Sequence, residues 1–78
     1  MTPDVTARFE ALRNWRLEVA RRTDMPPYVV FHDRTLAEIA HRRPASAGAL
    51  ATIAGVGPAK LERYGDAVLA VLREVAEP

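Results

Sequence analysis

The stretch "PPYVVFHD", residues 26–33, decides how this chain folds. Its two prolines stop any preceding helix and push Met25 out of helical geometry. The apolar run that follows is too short for a helix of its own and too apolar for an ordinary surface loop. Residues 29–31 (Val-Val-Phe) are therefore predicted to close the core between two helices. The place of Tyr28, next to the rigid prolines, is left open.

Composition limits the class of protein. The sequence has 78 residues, 49% of them hydrophobic, and no cysteine, so its stability must come from one apolar core without disulfides. No apolar run approaches the roughly 18 residues of a membrane span. The net charge of +1 neither requires nor excludes nucleic acid, because a local patch matters more than the total. We expect a monomeric domain without membrane contact.

Upstream of the prolines, apolar residues recur at spacings of four, three, three and four, which predicts a helix over residues 4–22. The stripe consists of Val5, Phe9, Leu12, Trp15 and Val19. Asp4 is the expected N-cap, and Arg21 and Arg22 close the last turn, where cations suit the helix dipole. Arg13 and Arg16 are expected to project into solvent.

Downstream of the prolines, cap residues mark two short helices. A second helix is predicted to start at the N-cap Asp33, with Thr35 and Glu38 as an alternative capping box, and to end before Pro44. Ser46 is the expected N-cap of a third helix.

The motif "GVGPAKLERYG", residues 55–65, predicts the C-terminal part of the fold. Gly55 and Gly57 permit a tight turn with positive φ, and Pro58 suits the first position of a fourth helix. Gly65 is expected to stop that helix, and a fifth helix follows over residues 66–76. The predicted fold class is all-α, a compact five-helix bundle.

Two stretches together resemble the helicase-and-RNase-D C-terminal (HRDC) domain. They are "PPYVVFHDRTLAEIA" (26–40) and "LATIAGVGPAKLERYGDAVLAVL" (50–72). They combine a proline pair before an aromatic-aliphatic run, a Gly-hydrophobic-Gly turn, and Lys-Leu and Tyr-Gly pairs. The resemblance covers roughly residues 8–75. It implies a five-helix bundle that is an accessory module of RecQ-type helicases, UvrD-like helicases or ribonuclease D.

The resemblance also carries expectations about organisation. Residues 1–78 are expected to form a single domain, with its core over about 5–76, from the C-terminal part of a larger helicase or nuclease. Its partners would be single-stranded DNA, bound weakly and without base specificity, and the parent helicase domains in cis. The location would be cytoplasmic and associated with the nucleoid. The domain itself would have no catalytic role and no cofactor.

Tyr28 is the first candidate site residue. A tyrosine held by prolines is a good stacking platform for an unpaired base, and the resemblance implies single-strand binding by this aromatic. A half-buried tyrosine that packs on its prolines explains the pattern equally well. If Arg21 and Arg22 lie beside the ring, a basic and aromatic patch results; otherwise they are solvated residues at a helix end.

The second candidate is the turn at Gly55 and Gly57, which also resembles a helix-hairpin-helix loop. Backbone N–H groups in such a turn can approach a phosphate, and Lys60 and Arg63 on the next helix could add sequence-independent contacts. A purely structural turn with Val56 in the core is the favoured interpretation.

The remaining polar residues do not indicate a catalytic site. His32 and His41 are nine positions apart and cannot share a metal, so both are interpreted as surface residues. No nucleotide-binding loop, paired carboxylates or metal cluster appears in the sequence. The alternative function is a spacer or protein-interaction module that docks on its parent helicase or a partner without binding DNA.

Overall fold

Five helices form within residues 1–75, the part of the chain that the computed structural model describes. They are α1 (Pro3–Thr23), α2 (Pro27–Val30), α3 (Asp33–Arg42), α4 (Ala47–Ala51) and α5 (Pro58–Glu74). The predicted all-α, five-helix class is confirmed, although the observed helix boundaries differ from the predicted ones. Residue 76, the predicted end of the last helix, lies outside the described residues. No helix in the described range is long and apolar enough to span a membrane.

Helix α1 begins one residue before its predicted start, and its N-cap lies two residues before the predicted one. Thr2 is the N-cap, because its hydroxyl accepts a hydrogen bond from the Val5 amide at 3.3 Å, and the predicted cap Asp4 lies inside the first turn. The helix ends at Thr23, and the backbone of the C-cap Asp24 is left-handed with φ of 54°. The proline pair begins two residues after Asp24, so the helix stops before the prolines, one residue beyond the predicted end.

The buried stripe of α1 contains two arginines. Arg8 and Arg16 are each only 7% exposed and lie in register with the buried apolar residues Val5, Leu12 and Val19. The expectation that Arg16 projects into solvent is therefore wrong. Phe9 and Trp15, predicted as stripe members, pack at its edges and are partly buried.

These buried arginines bind backbone carbonyls of other elements. Arg16 Nη1 donates to the Phe31 carbonyl oxygen at 2.8 Å, and its Nη2 lies 2.6 Å from Asp33 Oδ1. Arg8 Nε donates to the Ala40 carbonyl oxygen at 2.6 Å. Carbonyls at the ends of short helices lack intrahelical donors. The arginines of α1 supply such donors to the segment that follows the prolines.

The stretch after the prolines forms a single helical turn, α2, rather than an extended run. Val30 and Phe31 are buried as predicted, with 0% and 1% exposure. Val29, predicted to be buried, is 41% exposed. A helical turn rotates each side chain by about 100° from the last, so Tyr28 and Val29 face outward when the next two residues face the core.

Helix α3 starts at the predicted place with a different cap. His32 occupies the N-cap position without a side-chain hydrogen bond, and Asp33 is the first helical residue. Asp33 therefore does not cap the helix; it pairs with Arg16 instead. Thr35 is buried inside the helix, which rules out the alternative start there. Ser46 caps α4 as predicted, accepting from the Ala49 amide at 3.1 Å.

Helix α5 runs unbroken through Gly65. The predicted stop at this residue is wrong, and the two predicted helices are one. Gly65 is buried, and a Cβ added there would lie 3.2 Å from Leu61 Cδ1 and 3.9 Å from Leu50 Cδ2. A glycine inside a helix costs about 1 kcal/mol relative to alanine. The tight neighbour is therefore Leu61 of the same helix, whereas the distance to Leu50 of α4 is an ordinary van der Waals contact.

Three aromatic rings join α1, the end of α2 and α5. The ring centroids of Trp15 and Phe31 are 6.1 Å apart, and the Tyr64 ring lies 5.7 Å from each of them. Such tilted and edge-on pairs add to the stabilisation from burial alone. The cluster holds the α2 segment against the two longest helices.

We expect Arg16→Met to lower the free energy of unfolding by about 2 kcal/mol, because the buried Phe31 carbonyl loses a charged donor. Urea unfolding followed by circular dichroism measures the change. Arg13→Gln is the matched control on the same helix. Arg13 is exposed and 4.0 Å from Glu10, so its loss should cost less than about 0.5 kcal/mol. Equal stabilities of the two variants would contradict a structural role for Arg16.

A second prediction concerns pH. The hydrogen bond from Arg16, and then its positive charge, lower the pKa of Asp33 below its ordinary value of 3.8. The resulting stabilisation is fully present above pH 3.8 and is lost as the pH falls through the lowered pKa. Asp33→Asn should therefore be less stable than the wild type at neutral pH, by under about 1 kcal/mol because the carboxylate is exposed.

Urea unfolding of the two proteins between neutral and acidic pH checks this dependence. Their difference should shrink as Asp33 becomes protonated. Asp66→Asn is the control, because Asp66 is exposed and has no ion pair within residues 1–75. A wild-type advantage that persists at the most acidic pH would contradict the ion pair.

Candidate nucleic-acid interface

Tyr28 lies on the outer face of α2 and is 59% exposed. Its ring stacks on that of His32, with centroids 6.0 Å apart and an interplanar angle of 26°. The prolines on one side and the buried Val30 and Phe31 on the other hold the backbone of the turn. Of the two interpretations left open by the sequence, the geometry favours a ring presented to solvent.

A groove lies beside this turn, between the end of α1 and the start of α5. It consists of two adjoining depressions, of about 620 and 460 Å³, that share Met25, Arg63 and Tyr64. Val29 lines the first depression and Arg22 lines the second. We call this the arginine groove. The groove reaches the turn at Val29, the residue that follows Tyr28.

Arg22 and Arg63 are the exposed cations of the arginine groove. Within residues 1–75 neither forms an ion pair with a carboxylate, although Glu62 also lines the first depression. Both guanidinium groups are therefore available to a ligand. Arginine suits phosphate especially well, because its planar group can donate two parallel hydrogen bonds.

Arg21 and Lys60 differ from Arg22 and Arg63 in their surroundings. Arg21 lies in a shallow depression that also contains Leu17 and Asp24. Lys60 lines the first depression of the arginine groove, and its Nζ makes an exposed hydrogen bond of 3.2 Å to the Val29 carbonyl oxygen and lies 5.2 Å from the centre of the Phe31 ring. Of the four predicted cations, the structure places three in the arginine groove: Arg22, Lys60 and Arg63.

The Gly-Val-Gly turn is shaped mainly by packing. Gly55 has φ of +94°, and a Cβ placed there would overlap the hydroxyl of the buried Thr35. Val56 is buried at 6% exposure, as the structural interpretation predicts. Gly57 has φ of −79°, so the expected positive φ is wrong at this position. No neighbour lies within 4 Å of a Cβ built on Gly57, so its backbone is open to approach.

His32 was not a candidate ligand in the sequence. Its ring stacks on Tyr28, and His32 also lines a cleft of about 580 Å³ with Gly55, which shares no lining residue with the arginine groove. The spacing of four from Tyr28 to His32 is a helical signal for contact. The helix ends between them, however, so spacing alone would not have predicted the stack. Within residues 1–75, no group of three acidic or histidine side chains is placed to hold a metal.

Comparisons with known proteins identify the family and the fold. The family model of the HRDC domain matches residues 5–72. The chain belongs to the HRDC family. This HRDC domain superposes on D. radiodurans RecQ HRDC domain 3 with a TM-score of 0.89 and 32% identity, over 95% of this chain and 97% of that one. The resemblance stated from the sequence is thus confirmed for family and fold.

Similar curated proteins are helicases. The HRDC domain is 47% identical over 62 residues to the ATP-dependent DNA helicase UvrD2 of Mycobacterium tuberculosis, a match that covers 80% of this chain and 9% of the helicase. It is 42% identical over 66 residues to the ATP-dependent DNA helicase RecQ of Haemophilus influenzae, covering 85% and 11%. The chain thus spans about a tenth of the length of these relatives.

Alanine substitutions at the two glycines of the turn should have very different effects on the free energy of unfolding. Gly55→Ala should lower the free energy of unfolding by at least about 2 kcal/mol, from the positive φ and the overlap with Thr35. Gly57→Ala is the matched control and should cost less than about 1 kcal/mol, the loss of a preferred cap residue. Urea unfolding measures both. A stable Gly55→Ala variant would show that packing does not require glycine there.

Proposed function

We propose that this HRDC domain is the non-catalytic accessory domain of a UvrD-like or RecQ-type DNA helicase, and that it binds single-stranded DNA with modest affinity. The supporting observation is the exposed Tyr28 on a turn whose next residue, Val29, lines the arginine groove. Arg22 and Arg63 of that groove have no ion-pair partner in the described chain. An aromatic platform combined with cations is the usual design of a single-strand site.

Each part of the surface has a distinct task in this proposal. The Tyr28 ring stacks on one unpaired base, which works for any base because each has a flat aromatic face. Arg22 and Arg63 bind phosphate oxygens and hold the strand along the arginine groove. Arg21 reaches the backbone of the strand beyond the prolines, and the open backbone at Gly57 admits a phosphate. Without contacts to base edges, binding is independent of sequence.

The modest affinity follows from charge. The net charge of +1 provides little long-range attraction, so the few local cations must supply the electrostatic part. Such a domain is useful mainly in cis, where a tether to the motor raises its effective concentration at the strand. The relatives support that arrangement, and a cytoplasmic location at the nucleoid follows from it.

Docking on the parent helicase is a second candidate function. The observation that favours it is an apolar patch around the proline pair, where Leu17 is 41% exposed in the depression that also contains Pro26 and Pro27. The docking role predicts a normal domain that has no affinity for DNA in isolation. Titration of the isolated domain therefore separates the two functions.

We expect the isolated domain to bind a fluorescently labelled single strand of about 15 nucleotides, with the same affinity for oligothymidine and mixed sequences. Tyr28→Ala should weaken binding about 5- to 150-fold, the loss of one stacked base at about 1–3 kcal/mol. Fluorescence anisotropy measures the affinity, and circular dichroism checks that helix content is unchanged.

Salt dependence tests the arginines in the same titrations. Arg22→Gln and Arg63→Gln should each lower the log–log salt slope by about 0.7, because one phosphate contact is lost. Arg73→Gln is the matched control. Arg73 lies ten residues beyond Arg63 on α5, roughly 15 Å along the axis. Absence of wild-type binding at ~50 mM salt and high micromolar protein would refute the proposed function.

A further inference from the structure

We infer that Lys60 is a positioning residue, which fixes α2 and its Tyr28 against α5, and that it does not bind phosphate itself. The inference rests on the proposed single-strand binding and changes the role that the sequence predicts for this lysine. Its basis is that the Lys60 ammonium, although Lys60 lines the arginine groove, already has two partners in the domain: an exposed hydrogen bond to the Val29 carbonyl at 3.2 Å and the Phe31 ring at 5.2 Å.

The Val29 carbonyl needs an external donor. It belongs to the last turn of a four-residue helix, where carbonyl groups have no amide of their own helix to accept from. A single turn is also not stable by itself, because helix nucleation is unfavourable. Lys60 supplies the donor from the first turn of α5, 31 residues along the chain. A neutral side chain of the same length would leave that carbonyl without this bond.

The contact with Phe31 adds to the same restraint. The ammonium lies over the face of a ring that is 1% exposed and packed against Trp15 and Tyr64. The aromatic face carries negative charge density that attracts a cation. Lys60 is thus held from two directions, and an ammonium drawn out of this position toward a phosphate would lose both contacts.

The position of Lys60 links the two parts of the binding surface. Arg63 is three residues further on α5, on a neighbouring part of the same helix face. Tyr28 directly precedes Val29, whose carbonyl Lys60 binds. The lysine therefore sets the distance between the stacking ring and the phosphate-binding arginine. Loss of Lys60 should disturb that distance without removing a phosphate contact.

The test compares Lys60→Met, which keeps the aliphatic stem, with Arg63→Gln. We expect Lys60→Met to weaken binding of the labelled 15-nucleotide strand several-fold and to leave the salt slope at the wild-type value. Arg63→Gln should lower the slope by about 0.7. A reduction of that size in Lys60→Met would overturn the inference, because it would show that a phosphate contact had been lost. Unchanged affinity would overturn it as well.

A measurement without DNA keeps the inference separate from the proposed function. The amide nitrogen of Val30 shares a peptide group with the Val29 carbonyl, so its NMR chemical shift senses a hydrogen bond to that oxygen. We expect this shift to change in the free Lys60→Met protein and to stay in place in Arg63→Gln. An unchanged Val30 shift in Lys60→Met would overturn the positioning role of Lys60, even if the domain binds DNA. Lys60→Gln provides the same readouts if the methionine variant does not fold.

Discussion

The ion pair and hydrogen bond made by Arg16 are the contacts on which the rest of the surface depends. One guanidinium, 7% exposed, reaches from the buried stripe of α1 to the Phe31 carbonyl and the Asp33 carboxylate. These two acceptors flank the junction between α2 and α3. Burial of an arginine is costly unless its donors are satisfied. Nε has no partner in the described structure, and the other two nitrogens make the bonds that hold the junction against α1.

A single helical turn can present a side chain rigidly only if neighbouring elements hold it in place. Here α1 holds the downstream end of α2 through Arg16, and α5 holds the Val29 carbonyl of α2 through Lys60. Phe31 fills the space between them. Tyr28 is then exposed because Val30 and Phe31, the core residues of this turn, must face inward. Its exposure follows from packing, and this exposure makes the ring available to a ligand at little cost in conformational entropy.

Charge in this HRDC domain acts locally. The balance of basic and acidic residues would not single out a nucleic-acid-binding protein, yet the exposed arginines of the groove lie where α1 and α5 meet. Other arginines serve the interior or pair along a helix, as Arg42 does with Glu38 at 3.1 Å. A count of basic residues therefore overstates the number available to a ligand. The relevant quantity is the number of basic side chains that have no partner within the domain, and only the folded chain defines that number.

The sequence by itself determined the helical class, the break at the prolines, the cap at Ser46 and the family, because these follow from local geometry and from motifs read along the chain. It named Tyr28 as a candidate but left its exposure open. Tertiary structure decided that Tyr28 and Val29 are exposed, that Arg16 is buried and that Lys60 contacts α2, and it made one helix of α5 through Gly65. The burial of Arg16, the exposure of Val29 and the contact of Lys60 each depend on a partner from a distant part of the chain: the Phe31 carbonyl, the core beneath α2 and the Val29 carbonyl. Residue periodicity describes one helix at a time, whereas burial and pairing are properties of two helices in contact.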